Sequence, residues 1–459
     1  MKPMVFLALL AAAGQSALGE VAWKPKCNMD NNLFPSLILA TATVRPDEEE
    51  EQNPNLLGDV YGLLGVSLKA PAAQTNVKVT VRENGLMNAS SWTGKLEKRG
   101  ERYFIAPKIN YKFDQLRRAR QQVPMNVTFA LEIDGKPAGE QTETITVRSI
   151  NDCPWAVLEV EETIDDEPEV IEAGASVSRS EAAQKKEAQK KEAQKKEAQK
   201  KEAQKKENEG GEGEEDGEEE STDEEPSAEA ESSGEEWEDL GWMGAAYVNE
   251  GSPMIDQILK EALEDGWVDS FAGYQREPDD VLREVLAIWS ALQNRGIHYS
   301  SITATPGGSE RVRSQHIRFF EESLTNQQAN CADASVLFCS ILRKLGLRTF
   351  VVYVPGHMYM GFYLSRTGDE RVAIETTMLG KEEADPKIIR ELRSLHASFD
   401  RDAKAELGWK TFAAAVAVGT QDLRKNAEKF ESEDEPNYQV IEIDEARKVG
   451  IMPISSETK

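Results

Sequence analysis

Apolar and polar residues alternate along Asn76-Val77-Lys78-Val79-Thr80-Val81-Arg82, and again along residues 126–133 and 143–148. A period of two is the signature of strands buried on one face only. Asp134-Gly135, between the second and third stretches, is a turn signal. Several short strands with turns at this spacing predict an all-β, sandwich-like module over residues 20–160. No polar cluster in it suggests chemistry, so its expected role is binding or presentation.

Farther along, the period changes. From Asp279 to Arg295 the apolar positions Val281, Leu282, Val285, Leu286, Ile288, Trp289 and Leu292 recur at helical spacing, and Gly296 follows as a stop. Asp385 to Lys429 also reads as mainly helical, with Asp385 as N-cap and Pro386 at the first helical position. Between these lie strand-like runs: Thr349 to Val354, Met358 to Leu364, and Arg371 to Thr376 after the turn Arg366-Thr367-Gly368-Asp369. Helices with a small antiparallel sheet predict an α+β domain over residues 241–459.

The two predicted regions are separated by residues 161–240, which have neither period. Glu181 to Glu207 repeats Glu-Ala-Gln-Lys-Lys, and between Glu187 and Glu202 each Glu meets Lys at i+3 and i+4. That pattern supports a solvated helix with no apolar stripe. The acidic, Gly- and Ser-rich stretch after it reads as disordered. Together they are expected to act as a spacer of mixed stiffness. Net charge is −28, but 18 acidic residues and no Lys or Arg fall between Glu207 and Asp239. The acidity therefore belongs mainly to one segment. The negative balance excludes a nucleic-acid partner, which needs a basic face.

Residues 1–19 combine a basic start, an apolar run from Met4 to Ala13 and small residues at Ala17-Leu18-Gly19. They read as a secretory signal peptide, so the expected location is secreted or periplasmic. No later run is apolar and long enough to span a bilayer. Export permits disulfides, and a Cys27–Cys153 bridge is the pairing that would enclose the first region.

The residues with the clearest chemistry are Cys331, His357 and Glu375, spaced by 26 and then 18 positions. Asn330 reads as a helix N-cap and Asp333 as the third helical residue, ahead of Val336, Leu337, Leu342 and Leu345 and a stop at Gly346. This puts Cys331 in the first turn, where the helix dipole and unpaired N–H groups favour an anion. If the hairpin turns at Arg366 or Thr367, His357 stands opposite a residue between 375 and 377, within reach of Glu375. A thiol, an imidazole and an orienting carboxylate in that arrangement form a nucleophilic unit.

The run NCADASVLFCSILRKLGLRTFVVYVPGHMYMGFYL, followed by AIETT, resembles the core of the transglutaminase-like superfamily, which shares a papain-type fold. The likeness covers roughly residues 280–380, and the tail Tyr438 to Ile443 with Gly450 to Pro453 is similar to that of bacterial members. The resemblance implies a catalytic cysteine opening a helix, with histidine and acid on adjacent strands, and Cys331, His357 and Glu375 match those positions. The family more often has Asp third, so Glu375 brings an extra methylene.

Other candidates are weaker in context. Gln327, with Gln328 and Asn330 as alternatives, is the candidate side-chain amide for an oxyanion hole beside the Cys331 N–H. Tyr299 is a candidate groove residue, and Cys339 reads as a buried small hydrophobe. His298, His316 and His396 lack comparable context, and His316 reads as a surface or loop residue. No His or Cys spacing implies a metal, and no cofactor is implied. The expected function is an exported thiol enzyme acting on peptide or isopeptide amides, with hydrolysis favoured over amine transfer. The alternative is a non-catalytic interaction protein that bridges partners through the β-module and a transglutaminase-like core.

Overall fold

In the computed structural model, the described residues are 21–45, 53–158, 237–301, 309–397, 403–432, 435 and 437–455. The expected signal peptide, the repeat helix and the acidic stretch up to residue 236 lie outside them.

The amino-terminal region is sheet-rich. Strand Thr75–Val81 buries Val77, Val79 and Val81, while Lys78 and Thr80 between them are only partly covered. Its neighbour Val123–Ile133 buries Val127, Phe129, Leu131 and Ile133 in the same way. Each buried aliphatic side chain contributes roughly 1.5–3 kcal/mol, so the alternation fixes the register. These strands belong to a five-stranded sheet with Asn32–Leu33, Lys136–Val147 and Ser90–Leu96. Asp134 (φ 48°) and Gly135 (φ 75°) make the predicted tight turn, closing the pair Ile133 and Lys136. A four-stranded sheet of Trp23–Cys27, Leu64–Lys69, Arg102–Ala106 and Leu56–Gly58 completes the region.

The carboxy-terminal region combines helices with an antiparallel sheet in the order Arg371–Ile374, His357–Tyr363, Thr349–Val354, Gln439–Glu442. Tyr359, Tyr363, Phe350, Val352 and Ala373 cluster with Leu423 of helix Ala403–Lys425. The alternate residues Met358, Met360, Phe362 and Val351 join the main core. The sheet is thus buried on both faces, and helix Cys331–Lys344 packs against its two central strands. Helix Pro278–Asn294 carries Trp289, whose ring meets Phe338 at 5.5 Å and Phe412 at 6.2 Å and so ties the two helices together.

Three expectations are corrected by the structure. Strand Asp152–Leu158 pairs on one side with Val312–His316 and on the other with Trp237–Asp239. Sequence-distant strands thus share one sheet, and the described residues on either side of 161–235 belong to a single compact unit. Leu158 and Trp237 are direct partners, so the intervening segment does not hold two modules apart. Arg313 lies over the rings of both Trp155 (5.4 Å) and Trp237 (4.1 Å) at this seam. His316 is a strand residue 3.4 Å from the buried Asp152 carboxylate, which Arg148 also binds at 3.0 Å. Second, Cys27 and Cys153 are free and buried; they stand in different sheets, and their thiols turn to the carbonyls of Asn32 and Pro154. Third, no helix begins at Asp385. Residues 383–389 are irregular, and the chain turns helical only at Arg390–Leu392 and Arg393–Ala397. Ile388 in this stretch is exposed, and the charged residues around it leave no apolar stripe to bury. Among the described residues no helix is long and apolar enough to cross a membrane.

Candidate active site

The nucleophile helix starts where its sequence directs. Asn330 accepts the Asp333 N–H at 2.8 Å, and Asp333 accepts the Asn330 N–H at 2.9 Å, a reciprocal capping box. Asp333 is fully buried, and it also accepts the Arg318 N–H (2.7 Å) and guanidinium (2.6 Å). Every oxygen of that carboxylate therefore has charged or backbone donors. Cys331 opens the helix beside this cap and is partly exposed. Its own N–H and that of Ala332 are among the first-turn donors that a helix leaves without intrahelical partners.

His357 begins the next strand but one, and Glu375 follows the end of the adjacent strand. The ladder pairs Met360 with Ile374 and Tyr363 with Arg371. Continued by one more pair, that register sets Glu375 opposite Tyr359 and so diagonally across from His357. The contact is made: Nε2 of His357 is 2.7 Å from Oε2 of Glu375. The extra methylene of Glu is accommodated because Glu375 sits just beyond the strand, as the N-cap of a short turn. Its other oxygen accepts the Thr377 N–H (3.0 Å) and hydroxyl (2.6 Å), which leaves the carboxylate little freedom.

With Nε2 committed to the carboxylate, Nδ1 is the ring nitrogen available to a thiol. The Cys331 thiol acts on the ring together with the Glu375 carboxylate. Nucleophile–base pairs are commonly loose until substrate binds. Burial alone would lower the His357 pKa, but hydrogen bonding and charge from Cys331 and Glu375 outweigh it and raise the value from 6.5 to about 10. Burial pushes Glu375 the other way, upward; the His357 hydrogen bond and charge, with the Thr377 bonds, win and hold it below its usual range. The two directions agree: the imidazolium–carboxylate form is favoured through the neutral range.

The remaining candidates do not converge on Cys331. Gln327 takes a left-handed conformation (φ 54°) at the end of helix Phe320–Asn326, and its amide donates to the Arg295 carbonyl at 2.5 Å. Its backbone and side-chain amide thus close that helix against Arg295. Tyr299 is 44% exposed, and its strand pairs with Ala329, two residues before Cys331, so it flanks the approach to the helix start. His298 turns to the Gly380 carbonyl at 3.1 Å. Cys339 is buried, its pKa pushed up to about 12 by burial.

Two hydroxyls were not singled out from the sequence. Ser335 Oγ binds the Cys331 carbonyl at 2.7 Å, and Thr376 Oγ1 reaches the same atom at 3.4 Å. Ser335 was readable, since it lies at i+4 from Cys331; Thr376 needed the tertiary fold. Among the described residues no group of three His, Cys, Asp or Glu side chains is arranged to hold a metal. Comparison of the chain with protein-family models, with curated proteins and with solved structures finds no match.

Proposed function

We propose that this protein is a cysteine-dependent amide-bond enzyme with a transglutaminase-like core, and that it hydrolyses peptide or isopeptide bonds after export. The observation that carries the reading is the bond of 2.7 Å between His357 and Glu375 beside a partly exposed helix-start cysteine. Cys331 passes its thiol proton to His357 and attacks the amide carbonyl, forming a sulfur–carbon bond. His357 gives its proton to the departing amine, leaving an acyl-enzyme. Water then attacks the thioester, His357 takes its proton, and the acid product leaves with the thiol restored. Glu375 keeps the imidazole in one orientation and stabilises its charged form. The N–H groups at the start of helix Cys331–Lys344 are the natural donors to the oxyanion, because they point out along a favourable dipole. Hydrolysis is preferred to amine transfer because nothing in the site specifies an amine acceptor.

Labelling with an iodoacetamide probe across about pH 4–9 tests this, beside Cys331→Ala, His357→Ala and Glu375→Gln variants. Rapid labelling confined to Cys331, persisting below about pH 6 and weakened at least tenfold without His357, supports the reading. Cys331 behaving as an ordinary thiol, indifferent to His357, would overturn it and favour a protein that uses the same core to bind partners. A labelling-competent enzyme then goes to a peptide and isopeptide library.

A further inference from the structure

Helix Ala403–Lys425 has a glycine in its interior, Gly419, where that residue is among the least favourable choices. The neighbouring strand explains it. A Cβ on Gly419 would stand 2.8 Å from Ala373 C, Ile374 N and Glu375 N, all backbone atoms. A side-chain tip could step aside; this stretch of backbone cannot without carrying Glu375 with it. Three further contacts bind the same helix face to the same strand end. The Ala415 carbonyl accepts the Glu375 N–H at 2.9 Å. The buried Thr420 hydroxyl accepts the Ala373 N–H (3.1 Å) and donates to the Ala373 carbonyl (3.2 Å). Leu423 of the same helix clusters with buried Tyr359 and Ala373 of the sheet. The Tyr359 ring in turn lies against the His357 ring, with centroids 6.1 Å apart and planes tilted by 30°.

Both members of the imidazole–carboxylate pair are therefore backed by one helix face. Ala415 and Gly419 lie behind the acid, and Leu423 packs with Tyr359, whose ring lies against the base. From this geometry we infer that Gly419 is a positioning residue. Its missing side chain sets how closely the helix approaches the strand, and that approach sets the place of Glu375 relative to His357. The inference rests on the catalytic reading above, and it assigns a task to a helix that contributes no reacting atom. The chemistry is sensitive to such placement, because a charge-assisted bond weakens steeply once it lengthens or tilts.

The test uses the full chain with Gly419→Ala, Thr420→Val and, as control, Phe412→Leu, which alters the same helix where it meets Trp289 at 6.2 Å. Three quantities are read for each: thermal midpoint, the alkylation rate of Cys331 near pH 6, and the His357 titration by imidazole proton NMR, assigned with His357→Ala. Gly419→Ala should lower the His357 pKa by about one pH unit and slow alkylation roughly tenfold. Phe412→Leu should lower the thermal midpoint and leave the titration in place. Thr420→Val, which removes two bonds to Ala373 without adding bulk beyond a methyl group, should shift the titration in the same direction by less, and it decides the matter if Gly419→Ala does not fold. An unchanged titration in Gly419→Ala, or an equal shift in Phe412→Leu, overturns the positioning role and leaves the triad reading intact. If the wild-type titration does not respond to Glu375→Gln, the triad reading itself falls.

Discussion

Ser335 and Thr376 stand with their hydroxyl oxygens 3.3 Å apart and both reach the Cys331 carbonyl. One belongs to the nucleophile helix and the other to the turn just after Glu375, so a buried polar pair fastens cysteine to acid. Ser335→Ala should lower stability by about 1 kcal/mol, the usual worth of such a bond, and slow Cys331 alkylation. Thr376→Val should act in the same direction, and the double variant should lose less than the two together, because they share a partner. Denaturant titration of all three measures this; strict additivity would show that the two hydroxyls act independently.

The cap of the nucleophile helix depends on one cation. Arg318 binds Asp333, whose side chain is fully buried, while Arg318 itself is 12% exposed. Burial already pushes the Asp333 pKa up, against its hydrogen bonds and the arginine charge. Arg318→Ala would leave a buried carboxylate without its counter-charge and should destabilise by about 3 kcal/mol. Asn330→Ala, which loses only the cap acceptor, should cost about 1 kcal/mol. Unfolding curves that rank the two in the opposite order would refute this division of labour.

The pH dependence of stability has two arms. The folded pKa of His357 is raised from 6.5 to about 10, so its contribution is fully present below 6.5 and is lost as pH climbs toward 10. Glu375 is depressed below its ordinary 4.5, so its contribution is present above that value and is lost as pH falls through the lower, folded one. Between pH 7 and 10, wild type should therefore lose stability that His357→Ala does not lose. Parallel unfolding free energies for the two proteins across that window would contradict it.

All four cysteines are free, and three are buried. Denatured without reductant, the chain should present four thiols to a chromogenic disulfide reagent. Folded, it should react rapidly at Cys331 alone, since burial pushes the Cys27 pKa up to about 11 and raises those of Cys153 and Cys339 as well. A count of two in the denatured state would restore the Cys27–Cys153 bridge.

What could be read from the residues was local. Asn330 and Asp333 announce a helix start, Asp134-Gly135 a hairpin, and the spacing of His357 and Glu375 about a turn near Thr367 puts them within one diagonal step; the structure has each. What could not be read depends on distant partners. Gln327 looked like a donor beside Cys331 because sequence gives proximity without direction, and its amide turns to Arg295. Pro386 looked like a helix start because the stretch around it offered no competing signal. Gly419 carried no meaning until the strand behind it was in view.

The pairing of Leu158 with Trp237 makes the length of residues 159–236 a free variable of this protein. The strands on either side of that segment are paired directly with one another, so its length does not set their register. Loop closure penalises each doubling of such an insertion by only about 0.6 kcal/mol, so gain or loss of Glu-Ala-Gln-Lys-Lys copies should cost little. Removing half of the repeats should move the thermal midpoint scarcely at all, and replacing residues 159–236 by Asn-Gly should leave the strands on either side paired. The register that brings His357 to Glu375 is set by ladders that lie wholly outside residues 159–236.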